Sequence, residues 1–205
     1  MSRDRERNRN NRKSKRAILV AYEGINKTEK NYFDNFSGRD KDYVIKVVPG
    51  NETDPINLVR QTIKKSQELK LDLEEDDRAF CIFDTDINPS KNIQIKEAIE
   101  LAQTNNITII TSSPCIELWF LIHYNYTAAS MSSNEVIKRL KGYYPKYNKN
   151  CNIYPIIYEN TKIAYDNAKK LEKYHKDNNI SIKSVEANPH SDIYQIIDEL
   201  EKNNH

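Results

Sequence analysis

Ala17-Ile18-Leu19-Val20-Ala21-Tyr22-Glu23-Gly24 is an unbroken apolar run that ends in an acid and a glycine. A strand with one face in water alternates apolar and polar residues. A run that is apolar at every position instead predicts a strand covered on both faces, as in parallel sheets. Downstream, Asn26 and Glu29 have the spacing of a capping box and predict a helix to about Phe36. Tyr43–Val48 reads as a second strand, rich in β-branched residues and stopped by Pro49-Gly50. Asp54-Pro55 is an N-cap followed by proline at the first helical position, with Ile56, Val59 and Ile63 on one face. Ala79-Phe80-Cys81-Ile82-Phe83 is a third apolar strand, and it runs straight into Asp84-Thr85-Asp86. Lys91–Gln103 predicts a helix with Ile95, Ala98, Ile99 and Ala102 turned inward. Ile107–Ile110 predicts a fourth strand, and Ser113-Pro114 the cap of a short helix reaching Ile122.

Strand and helix thus alternate four times between residues 17 and 123. The connections are long enough for right-handed crossovers, so the expected class is α/β, a parallel sheet flanked by helices. Beyond it the pattern is helical at about 132–141, 160–178 and 191–202. Ser191 reads as the N-cap of the last helix, and Ile193, Ile196, Ile197 and Leu200 as its buried face. Residues 142–158 read as a loop rich in tyrosine and lysine. The expected organisation is a disordered basic arm (1–16), an α/β core (17–125) and a helical C-terminal extension packed on it (126–205).

The composition suits a water-soluble globular chain, with 38% hydrophobic and 30% charged residues. No apolar run approaches the roughly 20 residues needed to cross a bilayer, and the basic N-terminus lacks the apolar stretch of a secretory signal. Three widely spaced cysteines form no C-x-x-C pair, which disfavours a disulfide framework and a structural zinc site. These features predict a cytoplasmic protein with no membrane association. Residues 1–16 hold eight basic side chains against two acidic ones, a net +6. About −4 is left for the rest of a chain whose net charge is +2. The arm reads as a non-specific phosphate binder, while the body would need local basic surfaces or metal ions to approach nucleic acid.

In open parallel sheets, function gathers outside the carboxyl ends of the strands. Glu23 ends the first strand and Asp84 the third, with Asp86 two residues on. If those strands are neighbours, the carboxylates share a crevice and repel one another unless a cation sits between them. Hard oxygen ligands favour Mg²⁺ or Mn²⁺. Asp-x-Asp alone is also common turn chemistry. Gly24 adds a position suited to a tight turn and to close approach of a ligand.

These residues resemble a known group. Ile18–Gly24 together with Phe83-Asp84-Thr85-Asp86 is similar to the Toprim domain of topoisomerases, primases and OLD-type nucleases. In that domain the strand-one Glu and the D-x-D bind Mg²⁺ for phosphodiester chemistry. A closer resemblance is to the RloB-like family, Toprim-related prokaryotic defence proteins that include AbiLii-type abortive infection factors. Four segments carry it: Glu23-Gly24 with Thr28-Glu29-x-x-Tyr32-Phe33; Phe83-Asp84-x-Asp86; Ser113–Trp119 with His123; and Asn188-Pro189-x-Ser191-x-Ile193-Tyr194. The resemblance implies a Toprim-like fold and an effector that works beside an ATPase partner. It also implies Glu117, in its Ile-Glu-Leu segment, as a further metal ligand. Its apolar neighbours support this, because an unpaired acid there would be costly. One departure matters: Ile87-Asn88-Pro89 follows the D-x-D where topoisomerases place a further acid or glycine, which favours a nuclease.

Other residues are weighed beside these. Gly24-Ile25-Asn26-Lys27-Thr28 lacks the glycine that a P-loop needs before its lysine. Lys27 reads equally as a phosphate contact or an exposed helix start. His123 reads first as a hydrogen-bonded core histidine and second as a phosphate donor or general base. Lys138–Lys149 interleaves cations with tyrosines, and Lys141 and Lys146 there are candidates for substrate phosphates, the alternative being a solvated loop. The expectation is a Mg²⁺- or Mn²⁺-dependent nuclease, an anti-phage toxin cleaving tRNA, another RNA or DNA. Glu23, Asp84, Asp86 and Glu117 would be its catalytic and metal-binding residues. The alternative is a non-catalytic regulatory subunit that binds nucleic acid or the ATPase. Self-association is left open.

Overall fold

The computed structural model describes residues 15–50, 54–85 and 91–202. Asp86 and the arm's residues 1–14 lie outside the described residues. In chain order the elements are β1 (Arg16–Glu23), α1 (Thr28–Phe33), β2 (Tyr43–Gly50), α2 (Pro55–Glu68), β3 (Arg78–Asp84), α3 (Lys91–Gln103), β4 (Ile107–Ser113), α4 (Glu117–Leu121), α5 (Ser133–Tyr143), α6 (Tyr154–Ile157), α7 (Thr161–Asp177), β5 (His190–Ser191) and α8 (Tyr194–Glu201). The sheet order is β2-β1-β3-β4-β5. β1 to β4 are parallel, as expected. β5 is an antiparallel addition, pairing Ser112 with Ser191 and Ser113 with His190, so the sheet is mixed.

The unbroken apolar run of β1 is explained by two cores. Ile18, Val20 and Tyr22 face one side, where α1, α4 and the C-terminal helices pack; Leu19 faces the other, against α2 and α3. Phe80 and Ile82 of β3 join the first side, and Ala79, Cys81 and Phe83 the second. Side chains alternate across a strand, so a strand covered on both faces must be apolar throughout. Trp119 lies at the centre of the first core, fully buried, and its Nε1–H donates to Tyr32 Oη at 2.9 Å. Loss of such a side chain costs about 3–5 kcal/mol.

Several local expectations need correction. Asn26 and Glu29 form no capping box: α1 begins at Thr28, its N-cap is Lys27, and no side chain caps it. Ser113 does not cap α4, whose N-cap is Ile116, because β4 runs on to Ser113. Ser191 is a strand residue and Ile193 precedes α8, although Ile193, Ile196, Ile197 and Leu200 are buried as expected. Asp54 does cap α2, accepting from the Asn57 N–H at 3.0 Å. Arg16 belongs to β1 rather than to an arm, and its guanidinium pairs with Glu199 of α8. Residues 126 onward share an apolar cluster with the core, which runs from Ile18 to Leu200. All three cysteines are free, and among the described residues no helix is long and apolar enough to cross a membrane.

Candidate functional site

β1 lies between β2 and β3, so the chain leaves β1 to one side and returns from β2 to the other. That reversal opens a crevice at the carboxyl ends of β1 and β3. Glu23 and Asp84 are the last residues of those two strands. They meet directly: the Asp84 backbone N–H donates to Glu23 Oε2 at 3.1 Å. Gly24 then turns the chain away at φ +75°, a conformation costly for any residue with a Cβ. A Cβ there would meet nothing within 4 Å, so the turn, rather than a close approach, accounts for the glycine.

Two helix starts bring further acids. Glu117 opens α4 immediately after the β4 turn and is 1% exposed, and Glu29 lies in the first turn of α1 and is 7% exposed. Glu23, Glu29, Asp84 and Glu117 line one cavity of about 190 Å³, together with Gly24, Asn26, Thr28, Ile116 and Lys149. Asp84 Oδ1, Glu29 Oε2 and Glu117 Oε2 are buried without a hydrogen-bond partner. Burial raises the Asp84 carboxyl well above its ordinary range, and the negative charges of Glu29, Glu117 and Glu23 add to it, against Lys149. Burial also pushes Glu29 up to about 7, with further contributions from Glu117 and Glu23. A larger cavity, about 340 Å³, lies elsewhere, between α2 and the ends of β1 and β2. Glu68 is the sole carboxylate among its lining residues.

The segment after α5 forms the remaining wall. The Tyr147 hydroxyl donates to Glu117 Oε1 at 3.0 Å, and Lys149 Nζ lies 3.9 Å from the same oxygen. Three contacts clamp this segment to α1 and to the turn that follows it. Thr28 Oγ1 donates to the Lys149 carbonyl, Asn31 Nδ2 to the Asn150 carbonyl, and Asn35 exchanges side-chain hydrogen bonds with Asn152. The loop expected at 142–158 is therefore docked structure, with Tyr147 buried.

The sequence-predicted residues divide accordingly. Glu23, Asp84 and Glu117 come together; Asp86 lies outside the described residues. Lys27, Lys141 and Lys146 are exposed, and none of them lines the cavity. His123 does not line it either. It is 0% exposed, packs edge-on to Trp119, and places Nδ1 2.8 Å from the Trp119 carbonyl. This is the core histidine of the two readings. Glu29, Tyr147 and Lys149 went unassigned. Thr28-Glu29 stood inside a resemblance segment, and that was the one signal that pointed to it.

The donor set is wholly carboxylate, which suits a hard divalent cation such as Mg²⁺ or Mn²⁺. Three sealed carboxylate oxygens with no hydrogen-bond donor fit such an ion, because buried polar atoms are otherwise paired. Among the described residues, no three His, Cys, Asp or Glu side chains are already gathered tightly enough to enclose one.

The fold and crevice define an α/β protein with an acidic pocket at a topological switch point. A family model, RloB-like protein, matches residues 18–200, and the chain belongs to the RloB-like family. No curated protein and no solved structure matches it significantly.

Proposed function

We propose that this chain is a divalent-metal-dependent nuclease. The observation that carries the reading is the set of sealed, unpartnered carboxylate oxygens on Asp84, Glu117 and Glu29, facing one cavity beside Glu23. Such a cluster is unfavourable on its own, since each buried carboxylate raises the cost of ionising the next. Folds keep such arrangements at working sites. Glu23, Asp84, Glu117 and Glu29 would hold the metal, with Asp86, two positions after Asp84 in the sequence, as the further candidate. A bound Mg²⁺ or Mn²⁺ supplies an acidified water and positive charge for a phosphodiester. The chain's own groups do the rest. Tyr147 fixes the Glu117 carboxylate in one rotamer, the Asp84 N–H fixes Glu23, and Lys149, half exposed at the cavity wall, meets a non-bridging phosphate oxygen as substrate enters.

The family resemblance supports a wider role: the toxic effector of an anti-phage, abortive-infection system, acting with an ATPase on tRNA, another RNA or DNA. The test incubates the full chain with total RNA and plasmid DNA, in Mg²⁺, Mn²⁺ or EDTA, with and without the ATPase encoded beside it. Cleavage that needs metal and is abolished in a folded Asp84→Ala variant is the expected result. Intact substrates in every condition, or equal cleavage by the variant, overturn the proposal in favour of a non-catalytic subunit.

A further inference from the structure

A second recess lies past the far end of α4. Tyr124 and Tyr143 stack face to face, with centroids 4.6 Å apart and planes within 4°. Tyr124 is half-buried against the core, whereas Tyr143 remains 50% exposed. Beside the stack, Leu121, Asn125, Thr127, Arg139 and Tyr143 line a cavity of about 150 Å³. The recess therefore combines an aromatic wall, an apolar floor, a neutral amide and hydroxyl, and a guanidinium.

Its arginine acts on Glu135 only through space, alongside the hydrogen bonds that Glu135 takes from Ser132. Glu135, four residues before Arg139 on α5, is the natural helical partner for that arginine. Its carboxylate instead accepts from the Ser132 N–H and hydroxyl in the capping box of α5. Arg139 is exposed, as are Lys138 and Lys141 on the same helix, and none of the recess's lining residues is acidic. A neutral peptide or an apolar ligand has no use for this cationic rim. A ring with a flanking phosphate uses all of it: bases stack on tyrosine regardless of sequence, amide and hydroxyl groups meet base edges, and arginine pairs with phosphate.

The recess is joined to the acidic cavity through α4. Glu117 of the acidic cavity opens that helix and Leu121 of the recess closes it, about 6 Å along at helical rise. From Tyr143, at the end of α5, the chain runs within six residues to Lys149 at the acidic cavity. Both ends of the path are thus fixed by short pieces of chain.

We propose that the recess beside Tyr124 and Tyr143 takes an unpaired nucleobase of the substrate, with Arg139 on an adjacent phosphate. The acidic cavity then meets single-stranded or looped nucleic acid. A base paired in a duplex is stacked on both sides and cannot offer its face to Tyr143, so duplex is excluded from the recess. The inference rests on the reading of the substrate as nucleic acid, but it concerns binding and is separable from cleavage.

The test measures fluorescence anisotropy of the full chain in EDTA, which silences metal-dependent chemistry. The probes are a labelled homopyrimidine strand, as RNA and as DNA, and a duplex of the same length. The parent is expected to prefer a single strand of at least one of the two nucleic acids over duplex. Tyr143→Ala and Arg139→Gln, both at exposed positions, are each expected to weaken single-strand binding about tenfold, while Tyr143→Phe retains it. Binding through the basic arm would treat duplex and single strand alike and weaken with salt, so the single-strand preference should grow as salt is raised. Equal single-strand affinity of Tyr143→Ala and the parent, no preference over duplex, or no binding at all overturns the proposal. Single-strand binding lost in Tyr143→Ala, with no cleavage by the parent in Mg²⁺, leaves this inference standing and removes the nuclease. Metal-dependent cleavage with unchanged binding by Tyr143→Ala does the reverse.

Discussion

Glu23 and Asp84 are 61 residues apart in the chain and are joined by one hydrogen bond, from the Asp84 backbone N–H to Glu23 Oε2. The bond locks the ends of β1 and β3 in register and turns the Asp84 carboxyl into a sealed environment where its Oδ1 has no donor. A site built this way trades stability for charge density.

The trade predicts the behaviour of Asp84→Asn. The amide keeps the shape of the carboxyl and removes its repulsion from Glu29, Glu117 and Glu23. The metal-free variant should melt higher than the parent by about 2–4 °C, which corresponds to about 1 kcal/mol in a chain of this size. Mg²⁺ binding by calorimetry should disappear. A variant that melts lower and still binds Mg²⁺ would show Asp84 to be a structural acid at the strand end.

Tyr147→Phe acts in the opposite direction. It removes the hydroxyl that donates to the buried Glu117 Oε1 and leaves the ring in place near Phe120. An acceptor stranded in this way costs about 1–3 kcal/mol, which urea denaturation without metal should read directly. No change in midpoint would mean that the hydroxyl does not hold Glu117.

These residues also mark what the sequence could and could not reveal. Glu23 and Asp84 were legible because each directly terminates a run apolar at every position, and such runs have few alternative readings. Glu29 was not, because its spacing from Asn26 equals that of a capping box; local pattern cannot separate an acid that caps a helix from one buried in a cavity. Tyr147 and Lys149 reach the site because Thr28, Asn31 and Asn35 bind the segment that carries them and Tyr147 packs into the core. Those are tertiary contacts with no periodic trace. β5, two residues long, has no pattern to read at all.

His123 gives a pH signature outside the site. Burial holds its imidazole down at about 4, against an ordinary value near 6.5. Between those values the unfolded chain takes up a proton that the folded chain refuses. The His123 contribution therefore falls as pH drops from about 6.5 to about 4, by about 3 kcal/mol, while the raised carboxyls of Glu29 and Asp84 contribute with the opposite sign over the same range. The difference between parent and His123→Asn in urea titrations at successive pH values should show that contribution alone. His175, also depressed by burial, leaves a residual slope. A parent and variant with parallel pH profiles would place the titration elsewhere.

Lys149 separates metal binding from substrate handling. Its ammonium lies 3.9 Å from Glu117 Oε1, and its positive charge lowers the proton affinity of Glu29 and Asp84. In metal-free protein it is thus the cavity's own cation, and a divalent ion must compete with it. Lys149→Gln removes that competitor, so calorimetry should show Mg²⁺ bound as tightly as in the parent or more tightly. On the proposed nuclease reading, cleavage uses the same charge on the phosphate and should fall by about 10²-fold, the usual loss on removing one group that stabilises developing charge. Carboxylate variants lose binding and cleavage together, whereas this variant should lose cleavage alone. If Lys149→Gln instead loses Mg²⁺ affinity in step with activity, the lysine is holding the wall of the cavity in place through its ion pair with Glu117. The phosphate role would then pass to another cation.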